Sequence, residues 1–287
     1  MTSICFLVYN IGNFSEGKTT GHTGDDLNEY IQNWKSFIES CNADMSLFTE
    51  SRKYIGSGNK AETKTSLYSP LYQYVLDYYP SMNWGIAMLT RSEQSETVKA
   101  KFQHQRSSES KYVKSSILIG GIPVCVVAVH LIHGGETNKD IRAQQMDELI
   151  ADLENYENVI IGGDFNTHDL NELEPLKNAG YVFANGGAFG TFNTHTVGDP
   201  TAPLDNLCVR SNTLAIKSIT AMYNIVLSDH VPLLIEIGEE RQMYYGFKFA
   251  GLSTDEKPIN VQDNAIFLEL DTAKTYYYKN GAWSILG

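Results

Sequence analysis

Five apolar runs in this sequence end on side chains that a strand packed in a core does not need. FLVYN ends on Asn10, MSLFTE on Glu50 and CVVAVH on His130, while VIIGGDFN carries Asp164 and Asn166, and NIVLSDH carries Asp229 and His230. Carboxylates and carboxamides offer oxygen atoms to a cation or a proton, and imidazoles move protons or contact anions near neutral pH. Taken singly, each signal has a plainer explanation. An Asn or Glu at a strand end is ordinarily a cap or turn residue, an Asp-His pair can cap a turn, and the Asp and Asn of GDFN can make Asx-turns. Taken as a set, five polar strand ends projecting from rigid sheet edges toward one mouth predict a shared site.

The elements that must position these groups are short and regular. Strand patterns cover Ile4 to Tyr9, Met45 to Thr49, Gly85 to Thr90, Val113 to Ile119, Val124 to His130, Asn158 to Gly162, Leu204 to Val209, Ile216 to Met222 and Val231 to Ile237. Leu27, Tyr30, Ile31, Trp34, Phe37 and Ile38 recur at helical spacing, as do Ile141, Met146, Leu149, Ile150 and Leu153, so both stripes are core-facing helices. Strands joined partly through helices and partly through tight turns such as Gly120-Gly121 predict an α/β fold: a four-layer sandwich of two packed mixed β-sheets flanked by helices. After Ile237 a polar stretch, Gly238-Glu239-Glu240-Arg241, gives way to a tyrosine-rich tail. The expected domains are therefore 1–238 and a small C-terminal β-rich module, 239–287. In the module, Ala265 to Leu270 and Thr275 to Lys279 are expected strands, with turns at Asp271-Thr272 and Asn280-Gly281. So short a module cannot build a substantial core alone, and docking on the main domain or a partner is expected.

Composition narrows the functional classes. With 42% hydrophobic residues in 287, the chain can bury a large core. No apolar run reaches the roughly 18 residues of a membrane span. Met1 to Asn10 passes straight into a strand pattern without a basic n-region or cleavage site, so a cytoplasmic or virion-associated protein without signal peptide or stable membrane insertion is expected. Cys5, Cys41, Cys125 and Cys208 show no metal spacing and are expected as free thiols. A formal net charge of -12 argues against a tight, nonspecific nucleic-acid binder, but a site holding a divalent cation can attract a polyanion locally.

In order along the chain, VYNIGNF, LFTES, GIAMLTRS, AVHL, RAQQMDEL, GGDFNTHD, PLDNLCV and SDHVPL resemble the motifs of the endonuclease/exonuclease/phosphatase (DNase I-like) superfamily, with GDFN and SDHVPL the most specific. The resemblance runs from Ile4 to about Ile237 and implies two packed sheets with outer helices. It implies a Mg²⁺-dependent phosphoesterase, with Mn²⁺ as a substitute, in which Glu50 is the principal metal ligand and Asn10 and Asp229 bind the metal or its waters. Asp164 would orient and deprotonate the attacking water, and Asn166 would donate to a phosphate oxygen. His230 would contact the phosphoryl oxygens while Asp205 holds its other ring nitrogen, and His130 would be a second phosphate contact or a general acid. His130 sets the chain apart from exonuclease III-like repair enzymes, which usually carry Tyr or Asn there. Arg142 is expected to bond a nearby loop, and His133 to face solvent.

The substrate has to be read from loops. From Lys99 to Lys114 the segment KAKFQHQRSSESKYVK is basic within an acidic protein, and Lys101, Arg106 and Lys111 are candidate contacts to a polyanionic backbone, although such a run is usually a solvated loop. Neither a Trp/Phe-rich membrane hairpin nor a dense Lys/Arg pocket is evident, although Tyr72, Tyr74, Tyr78 and Tyr79 could form an aromatic patch. By elimination the favoured reading is a nuclease, and most specifically an endonuclease, with nucleic acid as its partner. The alternatives are a sphingomyelinase-like phospholipid or inositol-phosphate phosphoesterase, a catalytically silent binding module, and a phage-type structural or attachment protein. The last follows from FLELDTAKTYYYKNGAW, which loosely resembles C-terminal β-elements of bacteriophage proteins and would make the module a virion or protein contact.

Overall fold

The structure, a computed structural model, describes residues 3–12, 25–52, 73–78, 84–91, 95–105, 111–195, 201–239, 248–258, 265–279 and 281–285. They divide into two compact units, Met1–Glu239 and Glu240–Gly287. The first contains β1 (Ser3–Asn10), α1 (Asp25–Ser40), β2 (Met45–Arg52), β3 (Gln73–Tyr78), β4 (Trp84–Thr90), β5 (Ser95–Lys101), β6 (Lys111–Ile119) and β7 (Ile122–His130). It continues with α2 (Lys139–Asp152), β8 (Val159–Asp164), α3 (Glu174–Asn178), β9 (Val182–Phe183), β10 (Asp205–Arg210), β11 (Leu214–Ala221) and β12 (Leu233–Glu239).

Two six-stranded mixed sheets result, ordered β11-β12-β1-β2-β4-β3 and β5-β6-β7-β8-β10-β9. The strand period of two explains how they pack. In β1, Phe6 and Val8 face the inter-sheet core with Leu47, Met88, Val113, Val126, Ile160 and Leu207, whereas Leu7 and Tyr9 face outward onto Trp34, Phe37 and Ile38 of α1. In β7, Val124, Val126 and Ala128 point inward, and Cys125, Val127 and Val129 point outward onto Met146, Leu149 and Leu153, in and just after α2. Central strands covered on both faces must read as continuous apolar runs, which is why ICFLVY and VCVVAV lack alternation. Each fully buried aliphatic side chain contributes about 1.5–3 kcal/mol relative to exposure. The four layers are thus helix, sheet, sheet, helix.

Three strands carry no clear strand signal in the sequence. β3 and β5 are sheet edges and β9 is two residues long. An edge strand pairs on one side only and tolerates charge, so SETVKAK forms β5 despite its lysines. The basic segment accordingly contributes two antiparallel paired strands, with Lys99 and Lys101 on β5 and Lys111 and Lys114 on β6; residues 106–110, Arg106 among them, lie outside the described residues. Tyr72 and Tyr79 also lie outside them.

In the second unit, β13 (Lys248–Gly251), β14 (Ile266–Glu269), β15 (Thr275–Lys279) and β16 (Ala282–Ile285) form one sheet in chain order. Its small core is aromatic: Phe249, Phe267 and Tyr278 surround Trp283 at centroid distances of 6.4, 6.1 and 5.2 Å, and the indole N–H donates to Pro258 O at 2.7 Å. Lys257 pairs with Glu269 at 2.8 Å. Asn280 of the expected second turn lies outside the described residues. Among the described residues no helix is long and apolar enough to cross a membrane.

Candidate active site

Strand register builds one half of the site. Asp164, at the end of β8, is the register partner of His130 on β7 and of Asp205 on β10. Paired residues share a sheet face, so the three side chains stand in one row at the sheet edge. The row extends outward, because His130 pairs with Lys111 on β6 and Lys111 with Lys101 on β5.

The other sheet supplies Asn10 and Glu50. Asn10 closes β1 and is buried; its Nδ2 donates to Asp164 Oδ2 at 2.8 Å and reaches Glu50 Oε1 at 3.4 Å, so one amide draws carboxylates from both sheets together. Asn10 Oδ1 accepts from Gly12 N at 2.8 Å. Glu50 sits in a bulge of β2 between Phe48 and Ser51, with φ of +54°, a backbone state costly for a residue with a side chain. Gly12 allows the last contributor in. A Cβ there would lie 2.6 Å from Asp229 Oδ1, and its φ of +49° favours glycine. The buried Ser228 hydroxyl ties this corner together, 2.8 Å from Asn10 O and 3.1 Å from Asp229 Oδ1.

Electrostatics separates the two buried histidines. His230 Nδ1 lies 2.6 Å from Asp205 Oδ2; burial opposes its charge, but Asp205, with Asp164 and Asp229 beyond it, pushes the imidazole up to about 10. Burial, then His230 and His133, holds His130 down at about 3, so it is neutral at physiological pH. His130 Nε2 is 3.8 Å from Asp164 Oδ2. Asp164, with Oδ1 accepting from Asn166 N at 2.7 Å, is raised to about 7 by burial and the neighbouring Asp205. Asn166 has φ of +52° and donates one Nδ2 hydrogen to Leu131 O at 2.9 Å, which directs its other hydrogen.

Asp164 of GDFN and His230 of SDHVPL thus meet in space, in one group with Asp205. The family model of the Endonuclease/Exonuclease/phosphatase family matches residues 7–230. The chain belongs to this family. No curated protein sequence matches it. Solved structures share its fold: TDP2 of D. rerio complexed with a single-strand DNA product (12% identity, TM-score 0.66, covering 83% of this chain and 100% of that one) and the human Nocturnin catalytic domain with bound sulfate (14%, 0.64, 83% and 94%). An endonuclease/exonuclease/phosphatase from Bacteroides vulgatus is similar at 15% identity, with a TM-score of 0.63 over 84% of this chain and 100% of that one.

Members of this family typically depend on a divalent metal, and the donor set fits one. Glu50, Asn10 and Asp229 bring hard oxygens to one rim, and the four carboxylates Glu50, Asp164, Asp205 and Asp229 outnumber the one imidazolium, His230. Among the described residues, two groups of three bring ligand atoms within 4.8 Å of one another: Asp164, Asp205 and His230, and His195, Asp229 and His230; Glu50 belongs to neither.

The loop after β7 is clamped from outside. Arg142 and Gln145 occupy the buried face of α2, where its stripe would place apolar residues. Arg142 donates to Glu172 Oε2 at 2.6 and 2.9 Å and to Gly135 O at 2.7 Å, and Gln145 Oε1 accepts from Ile132 N at 3.0 Å. Arg142 is therefore the loop contact expected, and His133 is exposed. Lys101 is exposed, Lys111 is buried, and Lys114 pairs with Asp152 at 2.7 Å. One residue at the mouth has no signal in the sequence: His195, in TFNTHT, bridges to His230 as an isolated strand pair, and its ring centroid lies 4.8 Å from that of His230. It follows no apolar run, and only long-range pairing brings it to the site.

Proposed function

We propose that the chain hydrolyses phosphodiesters with Mg²⁺ or Mn²⁺ and that its substrate is nucleic acid, DNA first, cut internally. The observation that carries the reading is the single amide of Asn10 holding Asp164 at 2.8 Å and Glu50 at 3.4 Å, next to the Asp205–His230 pair. Glu50, Asn10 and Asp229 would hold the cation, which when bound offsets phosphate charge and favours the departing oxygen. Asp164, fixed through both carboxylate oxygens and raised to about 7, is suited to orient a water and take its proton. His230, kept charged by Asp205, donates from Nε2 to a phosphoryl oxygen. Asn166 donates its remaining amide hydrogen, and neutral His130 offers a second contact.

The basic row favours a polymeric anion over a lipid or inositol headgroup. Lys101 is exposed and ends a rung that runs through the buried Lys111 to His130, Asp164 and Asp205, so a neighbouring phosphate of a strand has a cation to meet in line with the reacting one. The D. rerio protein of the same fold was crystallised with a single-strand DNA product, which supports a nucleic-acid strand as ligand. A panel of plasmid DNA, single-stranded DNA, RNA, sphingomyelin and inositol phosphates, each with Mg²⁺ and with EDTA, tests the proposal. Metal-dependent nicking of plasmid DNA is the expected result, and headgroup release from lipid alone would contradict it.

A further inference from the structure

His195 and His230 are paired across an isolated bridge, so their imidazoles stand side by side at the mouth. Asp229 closes a triangle: its Oδ2 is 3.9 Å from His195 Nε2, and one donor atom from each of the three residues lies within 4.8 Å of the others. Two nitrogens and one oxygen differ in kind from the oxygens of Asn10, Glu50 and Asp229. Imidazole suits borderline cations such as Zn²⁺ and Co²⁺, whereas Mg²⁺ keeps to oxygen.

Three features give this triangle the character of a built site. Its backbone is fixed: Val231 N donates to Thr194 O at 2.7 Å, Ala202 N donates to His195 O at 2.9 Å, and Asp205 N donates to Thr194 Oγ1 at 3.0 Å. Its inner ring is oriented, because Asp205 holds His230 Nδ1 at 2.6 Å and leaves Nε2 to a metal, the carboxylate–imidazole arrangement that stands behind metal-bound histidines. It is also accessible, since the side chains of His195 and Asp229 are 35% and 54% exposed. The alternative group, Asp164, Asp205 and His230, is wholly buried and is already joined internally by the Asp205–His230 bond. Burial pushes the Cys5 and Cys125 thiols up to about 11 and Cys41 to about 12, and holds Cys208 well above its ordinary value, so they do not compete as thiolates.

The geometry points to a cation site of the Zn²⁺ class formed by His195, Asp229 and His230, with Asp205 behind His230. It shares Asp229 with the oxygen-donor site. A cation bound there replaces the proton on His230 Nε2, which leaves to solvent, and engages Asp229. Both groups are then withdrawn from phosphate hydrolysis, so Zn²⁺ acts as an inhibitor. Binding follows from the triangle itself, whereas the inhibition rests on the function proposed above.

The test uses the full chain, freed of metal by chelation and dialysis. Co²⁺ titration followed by visible absorption should show one equivalent with nitrogen-ligand bands, displaced by Zn²⁺. His195→Gln should weaken binding at least about tenfold, as loss of a ligand or its orienting partner does. Glu50→Gln and the exposed His133→Gln should bind as the wild type does. No stoichiometric binding, or equal binding by His195→Gln, overturns the site. Zinc-edge X-ray absorption on the wild type provides a reading independent of any variant: two imidazoles support the site, and fewer overturn it. In the activity arm, the Zn²⁺ concentration that halves Mg²⁺-dependent hydrolysis of bis(p-nitrophenyl) phosphate should rise about tenfold in His195→Gln relative to that variant's own rate. Unchanged Zn²⁺ sensitivity overturns the inhibitory role. Cobalt binding through His195 without any hydrolysis would keep the site and remove the phosphoesterase reading. Hydrolysis without a cobalt spectrum would do the reverse.

Discussion

Replacing Asp205 by Asn tests how the site keeps a buried imidazole charged. The substitution preserves shape and leaves an amide oxygen to accept from His230 Nδ1, so packing changes little while one charge disappears. At the 2.6 Å separation of the pair, an effective dielectric of 20 gives a lost attraction of about 6 kcal/mol. At about 1.4 kcal/mol per pH unit, that corresponds to roughly four units. Such a loss carries His230 from about 10 to below neutrality, while burial still opposes its charge. The ring should then be neutral at pH 7. Nitrogen NMR of labelled histidine reads this directly: the wild-type ring stays protonated through pH 8, and the variant's ring is neutral at 7. With the charge-assisted donor gone, kcat should fall by about 10²–10³. A ring still protonated at pH 8 in the variant, or an unchanged kcat with a neutral ring, would refute the reasoning.

Glu50→Gln should abolish stabilisation by Mg²⁺: a wild type at a hundredfold excess over Kd gains about 2.7 kcal/mol, and the variant's thermal midpoint should not move with the cation. Arg142→Met strands Glu172, 2% exposed at its side chain, without its cation, so urea unfolding should show a loss of about 3–5 kcal/mol, and a loss below about 1 would contradict the clamp. The pH–rate profile should be bell-shaped. The rate climbs as Asp164 loses its proton around pH 7 and declines as His230 loses its own near 10, and a profile flat across that span would contradict these roles.

The core and most of the site were legible because both obey short-range rules. Central strands buried on both faces give continuous apolar runs, and the polar residue ending each run is visible against that background. Glu50 and Asn166 could be placed at strand ends, but the positive φ that aims them arises from a bulge and a turn that no spacing announces. β3 and β5 escaped for the opposite reason: an edge strand is free of the need to be apolar, so SETVKAK reads as a solvated segment. His195 was invisible because its place at the site depends on a bridge to His230, far along the chain. The rung from Lys101 to Asp205 likewise exists only through register across five strands.

The central claim is that groups from both sheets act as one phosphodiester-cleaving centre through Asp164. Its most direct test is cleavage of plasmid DNA by the purified chain in Mg²⁺, alongside Asp164→Asn, which keeps the shape but not the base. The account predicts nicking by the wild type that EDTA stops, and a fall of at least about 10² in the variant. A wild type inert toward every phosphodiester with any divalent cation, or an Asp164→Asn protein cutting at the wild-type rate, would contradict it.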